Sequence, residues 1–558
     1  MSLVKRPALL LCLFLLSGGL SMASANPPGH ALATAHPAAT EAGLEILNAG
    51  GNAFDAAIAV SAVLGVVEPY SSGIGGGGFF LLHDSARNHT TMLDARERAP
   101  LAAHRDLYLD ADGNVDRDRA LNGPLAAGIP GTAAAWGHLA EHYAQLPLAR
   151  SLESAVHHAR DGVPLNPKLQ QAIAARTETF LRYPGSSVFV LDSPNPPPDM
   201  RIIQNDLAST MILLAEKGAQ AFYNGPLAET LVAEVRDAGG IWSLEDLEQY
   251  RVVEREPITI HWRDAEIVTA ALPSATGVML TQVFNMLGED WLDENRNDVR
   301  VHRLIEALRR AYLERAKHLG DPDHVDVPVE QLTSAEYARE LMADFDPERA
   351  TSSQSLYTAE PEAGNTTHFS ILDRDGNWVS ATLSINGLFG SGFTAPGTGV
   401  LLNNEMDDFS AKPGNPNLYG LIGSEANAIA PGKRMLSSMA PTAVHHANTL
   451  ALLGTPGGSR ITTMVMQGIL QFLQGADATS LVSSPRLHHQ ALPDKIFIEP
   501  DAVVDRERLE AKGHVFEVAE PWGNMQVVVW DTHEARLDAA SDPRGLGSAK
   551  IEMLNIND

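Results

Sequence analysis

The stretch Gly364-Asn365-Thr366-Thr367-His368-Phe369-Ser370 places two threonines between a flexible Gly-Asn step and a strand-like run. If the backbone is cut before Thr366, this residue gains a free amine beside its own hydroxyl. An amine with a pKa of about 7.7–8.0 accepts the hydroxyl proton at neutral pH, so one residue supplies both nucleophile and base. Taken alone, the same residues favour a plain strand edge with solvent-facing threonines.

The first 25 residues have the pattern of a cleaved secretory signal. Lys5 and Arg6 precede an apolar run at 8–16 and the small residues Ala23-Ser24-Ala25. This run is too short to span a bilayer, so we expect export without a membrane anchor. The only cysteine, Cys12, lies within the signal, which leaves the mature chain without a disulfide. These features favour the bacterial periplasm, with release into the medium as the alternative.

The charge of the chain argues against two classes of partner. Its 558 residues include 69 Asp and Glu against 41 Lys and Arg, which gives a formal net charge of −28. This excess of acid repels the phosphates of nucleic acids and of anionic lipids. We therefore expect no nucleic acid partner and no anionic membrane partner.

Helical periodicity dominates the sequence before Thr366. Two helical patterns at 38–49 and 53–67 are separated by Gly50-Gly51-Asn52, where glycine permits the left-handed end of a helix. The second pattern is apolar almost all round, so we expect it to be buried. Residues 132–341 are also predicted to be mostly helical.

Strands and turns dominate the sequence after Thr366. After Thr366 the predicted strands are 367–372, 378–383, 399–402, 449–453 and 497–498, with a further helix at 461–473. Two more strands, 79–83 and 90–94, are predicted before it.

Two loops are predicted before Thr366. Glycines at 73–78 lack a Lys-Ser/Thr ending or dinucleotide spacing, so we interpret them as a tight turn rather than a phosphate loop. The polar stretch 350–364 has no periodicity and predicts an exposed loop that can be opened without loss of a core element. Packed layers of helix and sheet are expected.

Several long motifs point to one family. After Thr366 the chain reads TTHFSILDRDGNWVSATLSINGLFGSGFTAPGTGVLLNNEMDDFSAKPG, then KRMLSSMAPT, GTPGGSRI and HHQALPD, and before it come GGNAFDAAIA, EPYSSGIGGGGFF, LDARERAP and GDPDH. In this order, and over nearly the whole chain after the signal, they resemble the γ-glutamyltranspeptidases, which are N-terminal nucleophile hydrolases. The resemblance implies an α/β (α+β) fold, a four-layer αββα sandwich.

The resemblance also implies a maturation step and a reaction. The precursor would cut itself between Asn365 and Thr366, giving a large subunit, 26–365, and a small catalytic subunit, 366–558, which associate as one intertwined unit. Thr366 would then carry a γ-glutamyl ester taken from a γ-glutamyl compound, with glutathione the leading donor. Water, an amino acid or a peptide would accept the group.

Individual residues receive roles from the same resemblance. Those assigned to catalysis are Thr366 as nucleophile and base, Gly457 and Gly458 as the oxyanion hole, and Ser384, where many relatives carry threonine, as support for the nucleophile. Those assigned to the γ-glutamyl zwitterion are Arg96, Ser437 and Ser438 for the carboxylate and Asn386, Glu405 and Asp408 for the ammonium. Tyr419 is expected in a lid loop over the pocket. Without the other motifs, the glycines predict only a turn, and Arg96 with Asp408 only a surface ion pair.

No metal and no cofactor are expected. His368, His488 and His489 do not predict a metal site, because adjacent histidines on a strand point apart and no HExxH spacing is present. Two rival functions stay open. A related cephalosporin or glutaryl acylase would share Thr366 and the oxyanion glycines, and an unprocessed exported protein would bind γ-glutamyl peptides without turnover.

Overall fold

The structure is a computed structural model that describes residues 26–553 except 192, 194, 195, 198 and 354–364. The predicted signal and most of the predicted loop at 350–364 therefore lie outside the described residues. Among the helices of the described part, none is long and apolar enough to cross a membrane.

Most of the longer strands belong to two large sheets. In chain order the strands are β1 (Gly29–Thr34), β2 (Gly77–Asp84), β3 (His89–Ala95), β4 (Val163–Pro164), β5 (Arg201–Ile202), β6 (Val253–Arg255), β7 (Ile258–Trp262), β8 (Ala265–Thr269), β9 (Thr367–Leu372), β10 (Trp378–Ser384), β11 (Thr394–Ala395), β12 (Val400–Leu401), β13 (Thr442–His446), β14 (Thr449–Gly454), β15 (Leu487–His488), β16 (Ile496–Ile498), β17 (Phe516–Val518), β18 (Gln526–Asp531), β19 (Arg536–Ser541) and β20 (Ser548–Met553). The first sheet has the order β20-β1-β9-β10-β2-β3-β6, and the second has the order β19-β18-β14-β13-β8-β7.

Helices cover the outer faces of both sheets. In chain order they are α1 (Pro37–Asn48), α2 (Ala53–Val67), α3 (Arg117–Leu121), α4 (Thr132–His142), α5 (Leu148–Asp161), α6 (Pro167–Phe180), α7 (Asn205–Lys217), α8 (Pro226–Asp237), α9 (Leu244–Glu248), α10 (Thr276–Leu287), α11 (Asn297–His318), α12 (Val329–Leu332), α13 (Ala335–Leu341), α14 (Ile461–Phe472), α15 (Ala478–Ser483) and α16 (Arg506–Ala511). α1 and α2 pack on the first sheet, and α10 and α14 lie over the second.

The side chains of β2 alternate between two apolar cores, which shows how the layers are held together. Phe79 and Leu81 belong to the apolar core between the two sheets, whereas Phe80 and Leu82 belong to the core beneath α1 and α2. Successive side chains of a strand point to opposite faces, so one buried strand can serve two cores. The strands β9 and β10 meet β14 and β18 across the central layer. The predicted four-layer αββα sandwich is confirmed.

The second helix is formed as the sequence predicts. Asn52 accepts hydrogen bonds from the backbone of Phe54 and Asp55, and Asp55 accepts one from the backbone N–H of Asn52, which completes a capping box. All residues of α2 are buried. Gly50 has a φ of 89°, so glycine provides the left-handed conformation that ends α1.

Both sheets combine strands from before and after Thr366. β9 lies between β1 and β10, β10 pairs in turn with β2, and β8 pairs with β13. All of these pairs are antiparallel, so each interface between the two chain segments is a ladder of backbone hydrogen bonds. Thr366 itself directly precedes β9.

The prediction that residues 132–341 are mostly helical is confirmed, but the region also contains short strands that were not predicted. They include β6, β7 and β8, with Arg263 at a φ of 55° in the turn between the last two. Each of these strands is at most five residues long. Alternation over so few residues does not stand out against the long helices on either side.

Candidate active site

Thr366 and Ser384 meet where β9 begins and β10 ends. Thr366 is only 6% exposed, and its Oγ1 lies 3.5 Å from the Oγ of Ser384. The Ser384 hydroxyl donates to the carbonyl oxygen of Asn365 at 3.3 Å and accepts from the backbone N–H of Asn386 at 2.7 Å. One hydroxyl therefore touches both the carbonyl before Thr366 and the side chain of Thr366.

Gly457 and Gly458 lie near this threonine, in the loop between β14 and α14. Their φ angles are 144° and 56°, which favour glycine over any residue with a Cβ. A Cβ on Gly458 would lie 2.6 Å from the ring of Tyr419, and one on Gly457 would lie 2.5 Å from the methyl of Met464. Backbone conformation thus favours glycine at both positions, and the Tyr419 ring leaves no space for a side chain at Gly458.

A narrow cavity beside Thr366 collects most of the predicted binding residues. Its lining includes Arg96, Ser384, Asn386, Glu405, Asp408, Tyr419, Ser437, Ser438 and Gly458. The free space is about 20 Å³, which suffices for about one water molecule and not for a glutamyl group. A ligand of that size can enter only if some of the lining side chains move.

Arg96 is the centre of a buried ion cluster. Its guanidinium lies 2.6 Å from Asp408 and 2.8 Å from Glu405, with Glu97 at 3.6 Å. Burial, and then the negative charge of Asp408, raise the pKa of Glu405 to about 7 against the opposing effect of Arg96. Burial and the neighbouring Glu405 also raise the pKa of Glu97. The cluster therefore holds one cation among three acids, and the pKa values of Glu405 and Glu97 are raised.

Arg315, on α11, also lines this cavity, a position that the sequence analysis does not predict. It is 5% exposed, its Nε is buried without a partner, and it forms no ion pair within the described residues. Burial lowers its pKa, and the negative charge of Asp408 opposes this effect. The sequence does contain one indication of this role. Arg315 lies one turn beyond Ala311 on the apolar face of the helix, where charged residues are rare.

The predicted lid residue lies against the cavity. The hydroxyl of Tyr419 donates to the backbone oxygen of Asn386 at 2.9 Å, and the side chain of Gln490 donates to the backbone oxygen of Tyr419. Asn417, two residues earlier, donates to Asp408 at 3.0 Å. The loop is thus hydrogen-bonded to both Asn386 and Asp408, the amide and the acid that are predicted to hold an ammonium group.

The histidines considered in the sequence are hydrogen-bonded to other side chains. His368 contacts Thr382 at 2.8 Å, and His488 contacts Thr463 at 2.9 Å. One group in the described part could offer three metal ligands: His302, Glu306 and His514. None of these three residues lines the cavity at Thr366. Glu306 already pairs with Arg310 at 2.7 Å, and this neighbouring cation disfavours a metal ion.

Comparison with known proteins decides the family. The γ-glutamyltranspeptidase family model matches residues 39–551. The chain belongs to the γ-glutamyltranspeptidase family. The glutathione hydrolase proenzyme of Escherichia coli (strain K12) is 38% identical over 525 residues, which are 92% of this chain and 90% of that protein.

Solved structures agree with this γ-glutamyltranspeptidase fold. A cephalosporin acylase from Bacillus halodurans has a TM-score of 0.80 at 28% identity, over 94% of this chain and 96% of that one. The γ-glutamyltranspeptidase of Helicobacter pylori has a TM-score of 0.54 at 33% identity, over 57% of this chain and 91% of that one. The fold is that of the N-terminal nucleophile hydrolases. Because an acylase shares it, the side chains around Thr366 must determine the substrate.

Proposed function

We propose that this γ-glutamyltranspeptidase cuts its own chain before Thr366 and then acts as a γ-glutamyltransferase and glutathione hydrolase. It transfers the γ-glutamyl group of glutathione and related amides to water, amino acids or peptides. The observation that carries the proposal is the cavity at Thr366. Its walls hold two arginines, Arg96 and Arg315, and the acids Glu405 and Asp408. A γ-glutamyl group ends in a carboxylate and an ammonium, and these walls offer charges of both complementary signs. Export to the periplasm is part of the proposal.

Maturation begins with the hydroxyl of Thr366 attacking the carbonyl carbon of Asn365. The Ser384 hydroxyl, 3.3 Å from that carbonyl oxygen, supports this step because it stabilises the developing negative charge. The peptide C–N bond breaks and an ester forms on Oγ1, while the nitrogen gains the proton. Water then hydrolyses the ester and leaves Thr366 with a free amine.

Catalysis reuses the same oxygen. The amine of Thr366 accepts the hydroxyl proton, and Oγ1 attacks the γ-carbonyl carbon of the donor. The backbone N–H groups at Gly457 and Gly458 would stabilise the oxyanion, an effect worth about 10²–10³ in rate per donor. The proton passes to the leaving nitrogen, and water or an amine then attacks the γ-glutamyl ester.

Binding requires the ion cluster to rearrange. The ammonium of the donor would bind Asp408, Glu405 and the side chain of Asn386, while Ser437, Ser438 and an arginine would bind its carboxylate. Arg96 is held by two acids, so the incoming ammonium has to replace part of its interactions. Tyr419 has to move with its loop to admit the group.

Two measurements on the full chain test the proposal. A denaturing gel of purified protein should show two bands, and N-terminal sequencing of the smaller one should read Thr-Thr-His-Phe-Ser. The Thr366→Ala variant should stay one band and release no glutamate from glutathione. If wild type also stays one band and is inactive, a binding protein without turnover is the better description.

The acylase alternative is tested with a pair of anilides. The acids near Thr366 should favour γ-glutamyl anilide over glutaryl anilide, which lacks the ammonium. Faster hydrolysis of glutaryl anilide would instead identify an acylase.

A further inference from the structure

A second cavity borders Thr366 on the side of Gly457. It measures about 230 Å³, and Asn365, Arg460, Lys168 and Trp522 are among its lining residues. The first cavity meets the same threonine on the side of Gly458. If the γ-glutamyl group occupies the first cavity, the substituent on its amide nitrogen extends into the second.

Arg460 is a cation with few partners on the wall of this second cavity. Its guanidinium lies 4.7 Å from the ring of Trp522 and 5.2 Å from that of Phe497. Across the described parts of the chain it forms no side-chain hydrogen bond or ion pair, and burial lowers its pKa. The Nε1 of Trp522, which is 8% exposed, also lacks a hydrogen-bond partner there. Stacking orients the guanidinium but leaves its N–H donors available.

The other charged groups on the wall do not cancel this cation. Lys168 lies 5.2 Å from the ring of Tyr70 and makes no ion pair with any described residue. Arg544 is neutralised by Glu499 at 2.5 Å and Asp542 at 3.1 Å.

The acid on this wall is Glu68. It accepts a hydrogen bond from Tyr70 at 2.7 Å, and burial raises its pKa, which weakens its negative charge. The cavity is therefore locally positive in a chain whose formal net charge is −28.

We infer that this cavity binds the carboxylate end of the leaving group and of the acceptor, with Arg460 as the main contact and Lys168 at the rim. The ligand class is an amino acid or short peptide with a free carboxylate. The inference rests on the proposed function. Glutathione fits it, because its leaving group is a dipeptide with an amine at the cleaved bond and a carboxylate at the far end.

The two half-reactions use the cavity in opposite directions. When the amide C–N bond breaks, the dipeptide nitrogen takes the proton released by the Thr366 hydroxyl, and its carboxylate remains on Arg460. An acceptor amine held in the same way attacks the ester carbonyl. The ester C–O bond then breaks, and the proton lost by the amine returns to Oγ1 of Thr366.

The test is the ratio of kcat/KM for glutathione to that for γ-glutamyl-p-nitroanilide, whose leaving group has no carboxylate. Arg460→Gln should lower this ratio about 10- to 100-fold, as expected for a hydrogen bond between charged groups. Lys168→Gln should lower it less, because that side chain is exposed. Arg300→Gln is the matched control, since Arg300 also stacks on a tryptophan at 4.7 Å but borders neither cavity. Its ratio should equal that of wild type.

Acceptors provide a second readout. Arg460→Gln should raise the KM for glycylglycine at least 10-fold relative to the KM for glycylglycine amide. Equal losses with both donors and both acceptors, after gels confirm normal cleavage, would show that Arg460 only supports the fold. An unchanged ratio in Arg460→Gln would likewise overturn the inference. Wild-type protein that cleaves neither donor would instead refute the proposed function.

Discussion

The guanidinium of Arg96 lies 2.6 Å from the carboxylate of Asp408, although the two residues are 312 positions apart in the chain. The residue expected to bind the substrate carboxylate is thus paired with the residue expected to bind the substrate ammonium. Each neutralises the other until a zwitterion arrives and offers both charges at once. A ligand that carries only one of these charges leaves one member of a buried pair unmatched, which is costly. This arrangement favours amino-acid-like donors.

Loss of Asp408, the carboxylate proposed to bind the ammonium, should shift donor preference. Asp408→Asn should lower kcat/KM for γ-glutamyl anilide about 10- to 100-fold while glutaryl anilide is affected less. Asp323→Asn is a suitable control, because Asp323 pairs with Arg255 at the same 2.6 Å distance and does not line the cavity. Parallel losses for both anilides in Asp408→Asn would argue against its role with the ammonium.

The raised pKa of Glu405 predicts the shape of the pH profile. With a pKa of about 7, Glu405 is protonated in acid and then binds an ammonium poorly. The amine of Thr366, at about 7.7–8.0, must also be deprotonated. Below pH 6.5, log kcat/KM should rise with a slope near 2 in wild type and near 1 in Glu405→Gln. Identical slopes would mean that Glu405 does not titrate in the active range.

Ser384 should control the rate of self-cleavage. Ser384→Ala removes the donor to the Asn365 carbonyl and should slow conversion of precursor about 10- to 100-fold, as followed by gel over time. Ser384→Thr keeps the hydroxyl and should mature at a rate close to that of wild type. Normal maturation of the alanine variant would rule out this contribution.

Arg315 should reduce stability while it supports binding. Replacing this unpaired buried cation by methionine should leave Tm equal to or above that of wild type and raise KM for γ-glutamyl anilide about 10-fold or more. Arg310→Met should behave differently, because it breaks a buried pair with Glu306 and should cost about 3–5 kcal/mol. A lower Tm with unchanged KM in Arg315→Met would assign Arg315 to the fold alone.

Local patterns and long motifs explain what the sequence can predict. The strand at 367–372 is confirmed as β9, because its residues and the turn after it are local signals. The motifs also identify ten predicted residues, Thr366 among them, that line one cavity. Their arrangement there was beyond local reasoning, since the ion pair of Arg96 joins distant segments.

Two arginines show more clearly what the sequence alone does not predict. Arg315 and Arg460 are only helix-face and turn residues in the sequence. They become candidate binding residues once the structure shows, beside Thr366, a buried Arg315 and a half-buried Arg460 that form no ion pair with any described residue. Whether an arginine is left without an ion pair depends on which acids already have partners, and that is a property of tertiary packing.

Both sheets combine strands from either side of Thr366, which imposes an order on folding and on the proposed self-cleavage. Both sheets need strands from each side of Thr366, so the layers must assemble before the proposed cut can occur in its proper geometry. If the chain is cut there as proposed, recovery from denaturant requires an encounter between two separate polypeptides and depends on their concentration. The uncut chain refolds as a single molecule, whereas the processed enzyme in dilute solution should recover poorly. Its lifetime is then governed by the rate at which it unfolds rather than by an equilibrium.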